Sequence, residues 1–222
     1  MSDFSAQLAS ALPQDLGSGP EWAKTLRLSG LQDFRAHGLP TRKDEAWKYT
    51  GLGLISQGDV QLSTGFRTLA TDAASPKPLA ESACQVCMFD GQFLEQTGKP
   101  QPGLTVLPLA EALNIGVAGL QGLLESLPVP SSGADSSVGF SALNTATLEP
   151  GLVVHVAAGT DAGRLSLSWS ARENDGPRLF NSRVCLILEP GSKLELVEQF
   201  ESTADHANSS NIVLQANVGE NA

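Results

Sequence analysis

The chain has 222 residues, of which 41% are hydrophobic and 17% charged, a composition typical of a soluble globular protein rather than a disordered one. Its net charge of −10 argues against nucleic acid as the main partner, because phosphate binding needs a clustered positive surface. No apolar run approaches the roughly 20 residues of a membrane-spanning helix, and the start MSDFSAQLAS lacks the regions of a signal peptide. Three cysteines do not make a disulfide framework, so we expect a cytoplasmic protein without a membrane partner.

The N-terminal part of the chain has a mainly helical pattern. Apolar residues at helical spacing follow Pro20, and Gly38 with Pro40 predicts the end of that helix. Residues 64–82 are polar and turn-rich, which indicates a surface connection. Asp90-Gly91 lies between two apolar runs and predicts a β-hairpin near residues 84–94. A strand over Leu104–Leu107, a helix after it and a short helix within 117–127 complete a predicted first domain, residues 1–135.

Residues 128–139 are the best linker candidate, and the chain beyond them has a β pattern that partly repeats. Three apolar runs each reach a glycine after a short polar step, at Gly159, Gly191 and Gly219. Strand–turn units at nearly equal intervals favour a solenoid or β-helix over residues 139–222, and a β-sandwich remains the alternative on pattern alone.

The motif Cys84-Gln-Val-Cys87 invites a metal or redox interpretation, but its geometry argues against one. On a strand, residues an odd number apart point to opposite faces, so the two sulfurs could not easily meet one metal. No second motif of this kind follows. We therefore expect Cys84 and Cys87 to be structural, and Cys185, within an apolar run, to be buried.

Residues that could catalyse a reaction are scattered. The histidines at 37, 155 and 206 have no metal-binding spacing, and the chain has no phosphate-binding loop and no nucleophile elbow. The acidic pairs Glu173/Asp175 and Glu195/Glu198 do not form a persuasive acid–base pair. The sequence predicts no catalytic, cofactor-binding or metal-binding residue, and so a protein that is not an enzyme.

The stretch GLPTRKDEAWKYT concentrates charged and aromatic residues. Thr41 is placed to cap a helix, with Asp44 reaching back to it and Trp47 on the buried face beside an exposed Lys48. A stacking surface for single-stranded nucleic acid would use Trp47 and Tyr49, but the interleaved acids disfavour it. We expect an architectural joint that docks the N-terminal helices.

The same stretch closely resembles the N-terminal motif of the SufB/SufD family of iron–sulfur cluster assembly proteins. Three further stretches, VCMFDGQF, FSALNTATLEPGLVVHVAAG and LEPGSKLELVEQFES, resemble successive parts of that family's core. The likeness runs from about residue 20 to the end of the chain.

The resemblance implies an α+β fold in which an N-terminal helical domain is followed by a right-handed parallel β-helix. It implies a non-catalytic scaffold subunit of the SUF iron–sulfur assembly complex, which pairs with a SufB-like paralogue and binds a SufC-like ATPase. The cluster is then handled by the whole complex, and no cofactor is expected in this part. The family's partner contacts and functional histidine lie in a C-terminal part and map onto none of these positions. We therefore expect the chain to be the N-terminal portion of a longer protein, with a truncated β-helix.

Two other classes remain open, a β-helix enzyme that acts on polysaccharide and an extracellular adhesion solenoid. The first would need carboxylates or basic residues stacked along successive coils, and the second a secretion signal. Whichever class of solenoid this is, each coil should be covered by the next, and the last coil, around Ile212–Val218, has no successor in the chain. We expect its open β edge to support self-association.

Overall fold

The computed structural model describes residues 2–12, 17–56, 60–63, 82, 84–127, 138–171, 177–202 and 208–222. Within these ranges the chain forms five α-helices and nine β-strands, which confirms the α+β class. The helices are α1 (Asp3–Ala11), α2 (Glu21–His37), α3 (Leu109–Ile115), α4 (Leu120–Glu125) and α5 (Gly139–Ala146). The strands are β1 (Gln61–Ser63), β2 (Cys84–Phe89), β3 (Gln92–Gly98), β4 (Leu104–Pro108), β5 (Gly151–Val156), β6 (Asp161–Ala171), β7 (Arg178–Leu188), β8 (Lys193–Ser202) and β9 (Ser209–Val218). The predicted connection at 64–82 and linker at 128–139 fall almost entirely outside the described residues, as do Glu173, Asp175 and His206.

Capping residues mark the start of α1 and the end of α2. The Ser2 hydroxyl accepts a hydrogen bond from the Ser5 N–H at the start of α1. Helix α2 follows Pro20 and ends at Gly38, whose φ is 69° and whose N–H donates to the Phe34 carbonyl. The helix predicted between Pro20 and Gly38 is therefore confirmed.

The hairpin predicted at Asp90-Gly91 is present as the antiparallel pair β2–β3. Asp90 has φ 51° and Gly91 has φ 79°, which is the combination that a type I′ turn needs. A Cβ at position 91 would also lie 3.1 Å from the Phe180 Cβ. Both the turn and its packing thus require glycine there.

The strands form two sheets, and from β5 to β9 successive strands alternate between them. In the five-stranded sheet, β4 pairs with β5, and β5 and β1 pair with different parts of the same edge of β7. β9 pairs with the opposite edge of β7. The four-stranded sheet has the order β3-β2-β6-β8. Strands β5, β7 and β9 are parallel neighbours in the first sheet, and β2, β6 and β8 are parallel neighbours in the second. The main apolar core lies between the sheets, with buried residues such as Val86, Leu167, Val154 and Val184.

The turns that lead from one sheet to the other stack on each other. The Gly159 N–H donates to the Pro190 carbonyl and the Gly191 N–H to the Glu220 carbonyl, each at 2.9 Å. Gly159 and Gly191 have positive φ angles, and the third residue in this position is Asn221, with φ 57°. The choice of Gly219 as the third repeat glycine is therefore wrong by two residues, because asparagine also tolerates the left-handed conformation.

Helices cover the outer face of the five-stranded sheet. Buried leucines of α3 and α4 pack against Val153, Cys185 and Ile187 of β5 and β7. Helix α5 crosses α2 so closely that a Cβ on Gly30 would lie 2.7 Å from the Ala146 backbone nitrogen. The β pattern expected from residue 139 onward is wrong for α5, which occupies Gly139–Ala146 instead.

Strands from both sides of the predicted domain boundary share both sheets. β2 pairs with β6, and β4 pairs with β5. The division into residues 1–135 and 139–222 stays a prediction, and both parts contribute to one core between the sheets. Across the described ranges, no helix combines the length and apolar character needed to span a bilayer.

Candidate functional site

The motif segment, residues 39–50, contains the predicted contact in which Asp44 reaches back to Thr41, but Thr41 does not cap a helix, because the helix starts only after Asp44. The Thr41 N–H and hydroxyl both donate to Asp44 Oδ2, at 2.6 and 2.9 Å, and the Lys43 N–H donates to the Thr41 hydroxyl at 3.2 Å. The helix that follows is only one 3₁₀ turn, Glu45–Trp47. Gly51 and a second short 3₁₀ turn at Leu52–Leu54 follow soon after.

Trp47 joins the motif segment to the rest of the molecule. Its ring lies 5.6 Å from the ring of Phe140, at the start of α5. The side chain is half-buried rather than fully buried, while Lys48 is exposed as predicted and its ammonium lies 5.6 Å from the Tyr49 ring centre. Tyr49 itself is 92% exposed. The segment therefore has one packed aromatic side chain and one that faces solvent.

A cleft of about 480 Å³ lies between α1 and the motif segment. Phe4, Leu39 and Leu52 contribute apolar walls, and Asp3 and Arg42 contribute charges of opposite sign. A Cβ on Gly51 would lie 2.7 Å from an Arg42 guanidinium nitrogen, so glycine there leaves room for the arginine. The cleft adjoins the motif, but its described lining brings together no pair of groups suited to acid–base chemistry.

The cysteine motif lies on β2, with all six of its residues buried. Cys84 belongs to the core between the sheets and Cys87 does not, which agrees with opposite faces of one strand. Burial raises the pKa of both thiols, and it raises the pKa of Cys185 to about 12. Such thiols are poor nucleophiles and poor metal ligands at neutral pH. Among the described residues, no group of three or more His, Cys, Asp and Glu side chains could hold a metal ion.

The other singled-out side chains have structural partners. His155 Nε2 lies 2.9 Å from Glu189 Oε1. That hydrogen bond, with a second one from the Ala158 N–H, holds the pKa of Glu189 below its ordinary value. His37 Nδ1 lies 2.9 Å from the Asp33 carbonyl oxygen.

Two acids of β8 contact β6. Glu195 forms a two-point ion pair with Arg164, with both distances 3.0 Å. Glu198 accepts a hydrogen bond from Trp169 Nε1 at 2.9 Å. These contacts tie neighbouring strands together, and they engage carboxylates that a polysaccharide-acting enzyme would keep available for its substrate.

A buried arginine was missed by the sequence interpretation. Arg183 of β7 is 1% exposed and donates to Asn144 Oδ1 at 2.8 Å, to Thr145 Oγ1 at 2.9 Å and to Gln215 Oε1. Burial lowers its pKa to about 10, so the side chain is still protonated at neutral pH. The cluster links α5, β7 and β9. An arginine directly before the apolar run VCLIL was the only signal for it in the sequence.

No protein-family model matches the chain, and no curated protein matches it. The resemblance to the SufB/SufD family therefore remains an expectation that rests on the four sequence stretches quoted above.

Proposed function

We propose that this chain is a SufD-like member of the SufB/SufD family. It acts as a non-catalytic scaffold subunit of the cytoplasmic SUF system. In that role the full-length protein pairs with a SufB-like paralogue and binds a SufC-like ATPase, and the assembled complex builds the iron–sulfur cluster. The cluster is cargo of the complex in this proposal and not a resident cofactor of the chain.

The observation that carries the proposal is the alternation of β5 to β9 between two sheets with stacked turns. Each strand pair, β5–β6 and then β7–β8, adds one strand to each sheet, and β9 starts the next pair. We interpret these units as the first coils of a parallel β-helix. Parallel strands joined by a crossover nearly always have the right-handed sense, which favours a right-handed β-helix.

The places of the resembling motifs also support the proposal. The motif segment contacts the stretch FSALNTA of α5 through Trp47 and Phe140. The turn in LEPGSK stacks on the turn in VHVAAGT through the Gly159–Pro190 hydrogen bond. Stretches that are far apart in the chain but resemble one family are thus neighbours in space, which is what a shared architecture would produce.

Co-purification tests the proposal. The gene that encodes this sequence should be tagged in its own genome and the product isolated at native expression. We expect a paralogous protein and an ABC-type ATPase to co-purify in near-stoichiometric amounts, with an unrelated tagged cytoplasmic protein as the control. If neither co-purifies from a lysate that contains both, the scaffold role is wrong.

The enzyme alternative has its own test. Purified protein should release no reducing sugar from polygalacturonate or other acidic polysaccharides. The control is a mock purification from cells that lack the protein. Sustained cleavage by the purified protein and not by this control would replace the scaffold role with that of a β-helix enzyme.

A further inference from the structure

A small cavity lies between α2, α4 and α5, on the helical side of the molecule. Its volume is about 40 Å³, and it is partly open to solvent. A single buried water needs roughly 10–15 Å³ of such space, so the cavity has room for about three or four non-hydrogen atoms. Its walls are largely apolar and include Leu26, Leu124 and Ala142.

The deep end of the cavity has a hydrogen-bond donor that lacks an acceptor. Thr145 is 8% exposed and lines the cavity, and its Oγ1 accepts a hydrogen bond from Arg183 at 2.9 Å. The hydroxyl proton of Thr145 is therefore left to donate, and no acceptor for it lies in the described part of the chain. Because buried polar groups nearly always have a partner, an acceptor atom inside the cavity would complete this hydroxyl.

The rim of the cavity has the opposite chemistry. Asp33 of α2 is half-buried and is the one charged residue among the described residues of the lining. None of the ion pairs between described residues involves its carboxylate. The Ser141 hydroxyl donates to the Val138 carbonyl at 2.9 Å, so the Ser141 oxygen can accept a further hydrogen bond. Two acceptors at the rim suit a cationic donor.

Arg183 determines which end of a ligand would enter first. Its guanidinium lies behind Thr145 and is still protonated at neutral pH. A positive charge there repels a cation from the deep end of the cavity and favours an uncharged oxygen next to Thr145. A cationic group is then best placed at the rim, beside Asp33.

We propose that this cavity binds a short amino alcohol, whose hydroxyl oxygen accepts from Thr145 and whose ammonium group lies beside Asp33. Two carbons between these groups give a ligand of the size that the cavity can hold, and they would contact its apolar walls. Apolar walls with a few convergent polar groups are typical of small-molecule sites. The site is independent of the scaffold role.

An NMR titration of the whole chain with ethanolamine tests the proposal. The backbone amide signals of Gly30, Ala142 and Thr145 should shift and saturate as the ligand is added. Ethylamine lacks the hydroxyl and ethanol lacks the ammonium group, so each should bind with a Kd at least about fivefold higher.

A matched pair of variants on α2 tests the role of the charge. Asp33→Asn keeps the shape of the side chain but removes its charge, and should raise the Kd for ethanolamine by at least about fivefold. Glu21→Gln is the control, because Glu21 is exposed, pairs with Lys24 and does not line the cavity. It should bind ethanolamine like the wild type.

Three results would overturn the proposal. The absence of a saturable shift at the three amides would show that the cavity holds water only. Equal affinity for ethanolamine, ethylamine and ethanol would show an apolar space that does not recognise either polar group. An Asp33→Asn variant that binds ethanolamine as tightly as the wild type would show that the ammonium group does not lie beside Asp33.

The comparison of the three ligands uses the wild-type chain, so it decides the proposal even if circular dichroism shows that Asp33→Asn does not fold. A chain that binds no amino alcohol leaves the co-purification result unaffected.

Discussion

At the scale of single residues, Arg183 is the least expected feature of the molecule. Its guanidinium is buried and, within the described part of the chain, donates to two amide oxygens and a hydroxyl rather than to a carboxylate. Neutral acceptors repay only part of the cost of removing a charge from water. What they provide is geometry, because the planar guanidinium fixes α5 and β9 at set positions relative to β7.

Replacing Arg183 should therefore be costly. In Arg183→Met the acceptors on Asn144, Thr145 and Gln215 lose their donor inside the protein, and we expect the free energy of unfolding to fall by about 2–4 kcal/mol. The matched control is Arg164→Met, which breaks the exposed ion pair with Glu195 and should cost less than about 1 kcal/mol. Urea unfolding measures both. Equal losses in the free energy of unfolding would mean that the buried hydrogen bonds of Arg183 stabilise the protein no more than an exposed ion pair does.

The half-burial of Trp47 changes the size of the effect expected from its removal. A fully buried tryptophan costs roughly 3–5 kcal/mol when cut to alanine, and a half-buried ring that contacts Phe140 should cost about 2 kcal/mol. Lys43→Ala, on the same exposed turn, should change the melting temperature little. If Lys43→Ala abolished cluster assembly with an unchanged melting temperature, the motif segment would be a functional site and not a joint.

The cysteine motif gives a third test at this scale. Replacing Cys84 with Ser and Cys87 with Ala should leave the iron and zinc content of the purified protein unchanged, because the two thiols occupy opposite faces of β2. Metal analysis of the wild type and the double variant, purified in parallel, decides it. Loss of a stoichiometric metal in the variant would overturn the structural interpretation of the motif.

At the scale of elements, local signals explain what could be predicted. The β2–β3 hairpin follows from Asp90-Gly91, and the end of α2 follows from Gly38, because each turn depends on residues within a few positions. Helix α5 could not be predicted in the same way. Its sequence GFSALNTA contains glycine, serine, asparagine and threonine, which are weak helix formers. The helix is stabilised by packing against α2 and by the Asn144 and Thr145 contacts, which are distant in the chain.

The close crossing of α2 and α5 predicts opposite effects for two helical glycines. A Cβ at Gly30 would lie 2.7 Å from the Ala146 nitrogen and 2.8 Å from the Thr145 Cβ, so Gly30→Ala should separate the helices and cost about 1–3 kcal/mol. A Cβ at Gly122 in α4 would meet nothing within 4 Å, so Gly122→Ala should stabilise by about 0.5–1 kcal/mol. Thermal unfolding compares the two. A stabilised Gly30→Ala variant would contradict the crossing.

At the scale of the whole molecule, the pairings that join distant segments were beyond sequence reasoning. Nothing in the local pattern of β2 indicates that it pairs in parallel with β6, whose residues lie about eighty positions later. The same holds for the hydrogen bond from Arg183 to Gln215 and for the exposed ring of Phe200, which lies next to Trp169 in the sheet. Patterns of hydrophobicity identify faces of strands, but they do not say which strand lies next to which. The ring contact of Trp47 is with Phe140 of α5, and the expectation that the motif segment docks the N-terminal helices stays a prediction.

These long-range pairings predict that the two proposed domains fold together. Residues 139–222 expressed alone would lack β2 and β4, which leaves β6 and β5 with unpaired edges and removes Val86, Met88 and Leu104 from the core. They would also lack α3 and α4, which cover the outer face of β5 and β7.

We expect residues 139–222 alone to be unfolded or aggregated, and the whole chain to unfold in one cooperative transition in urea. Circular dichroism and tryptophan fluorescence, which reports Trp22, Trp47 and Trp169 together, should give coincident transitions for the whole chain. A soluble 139–222 piece with a cooperative transition of its own would instead support an independent second domain. The strands shared across the boundary would then be a contact between two folding units.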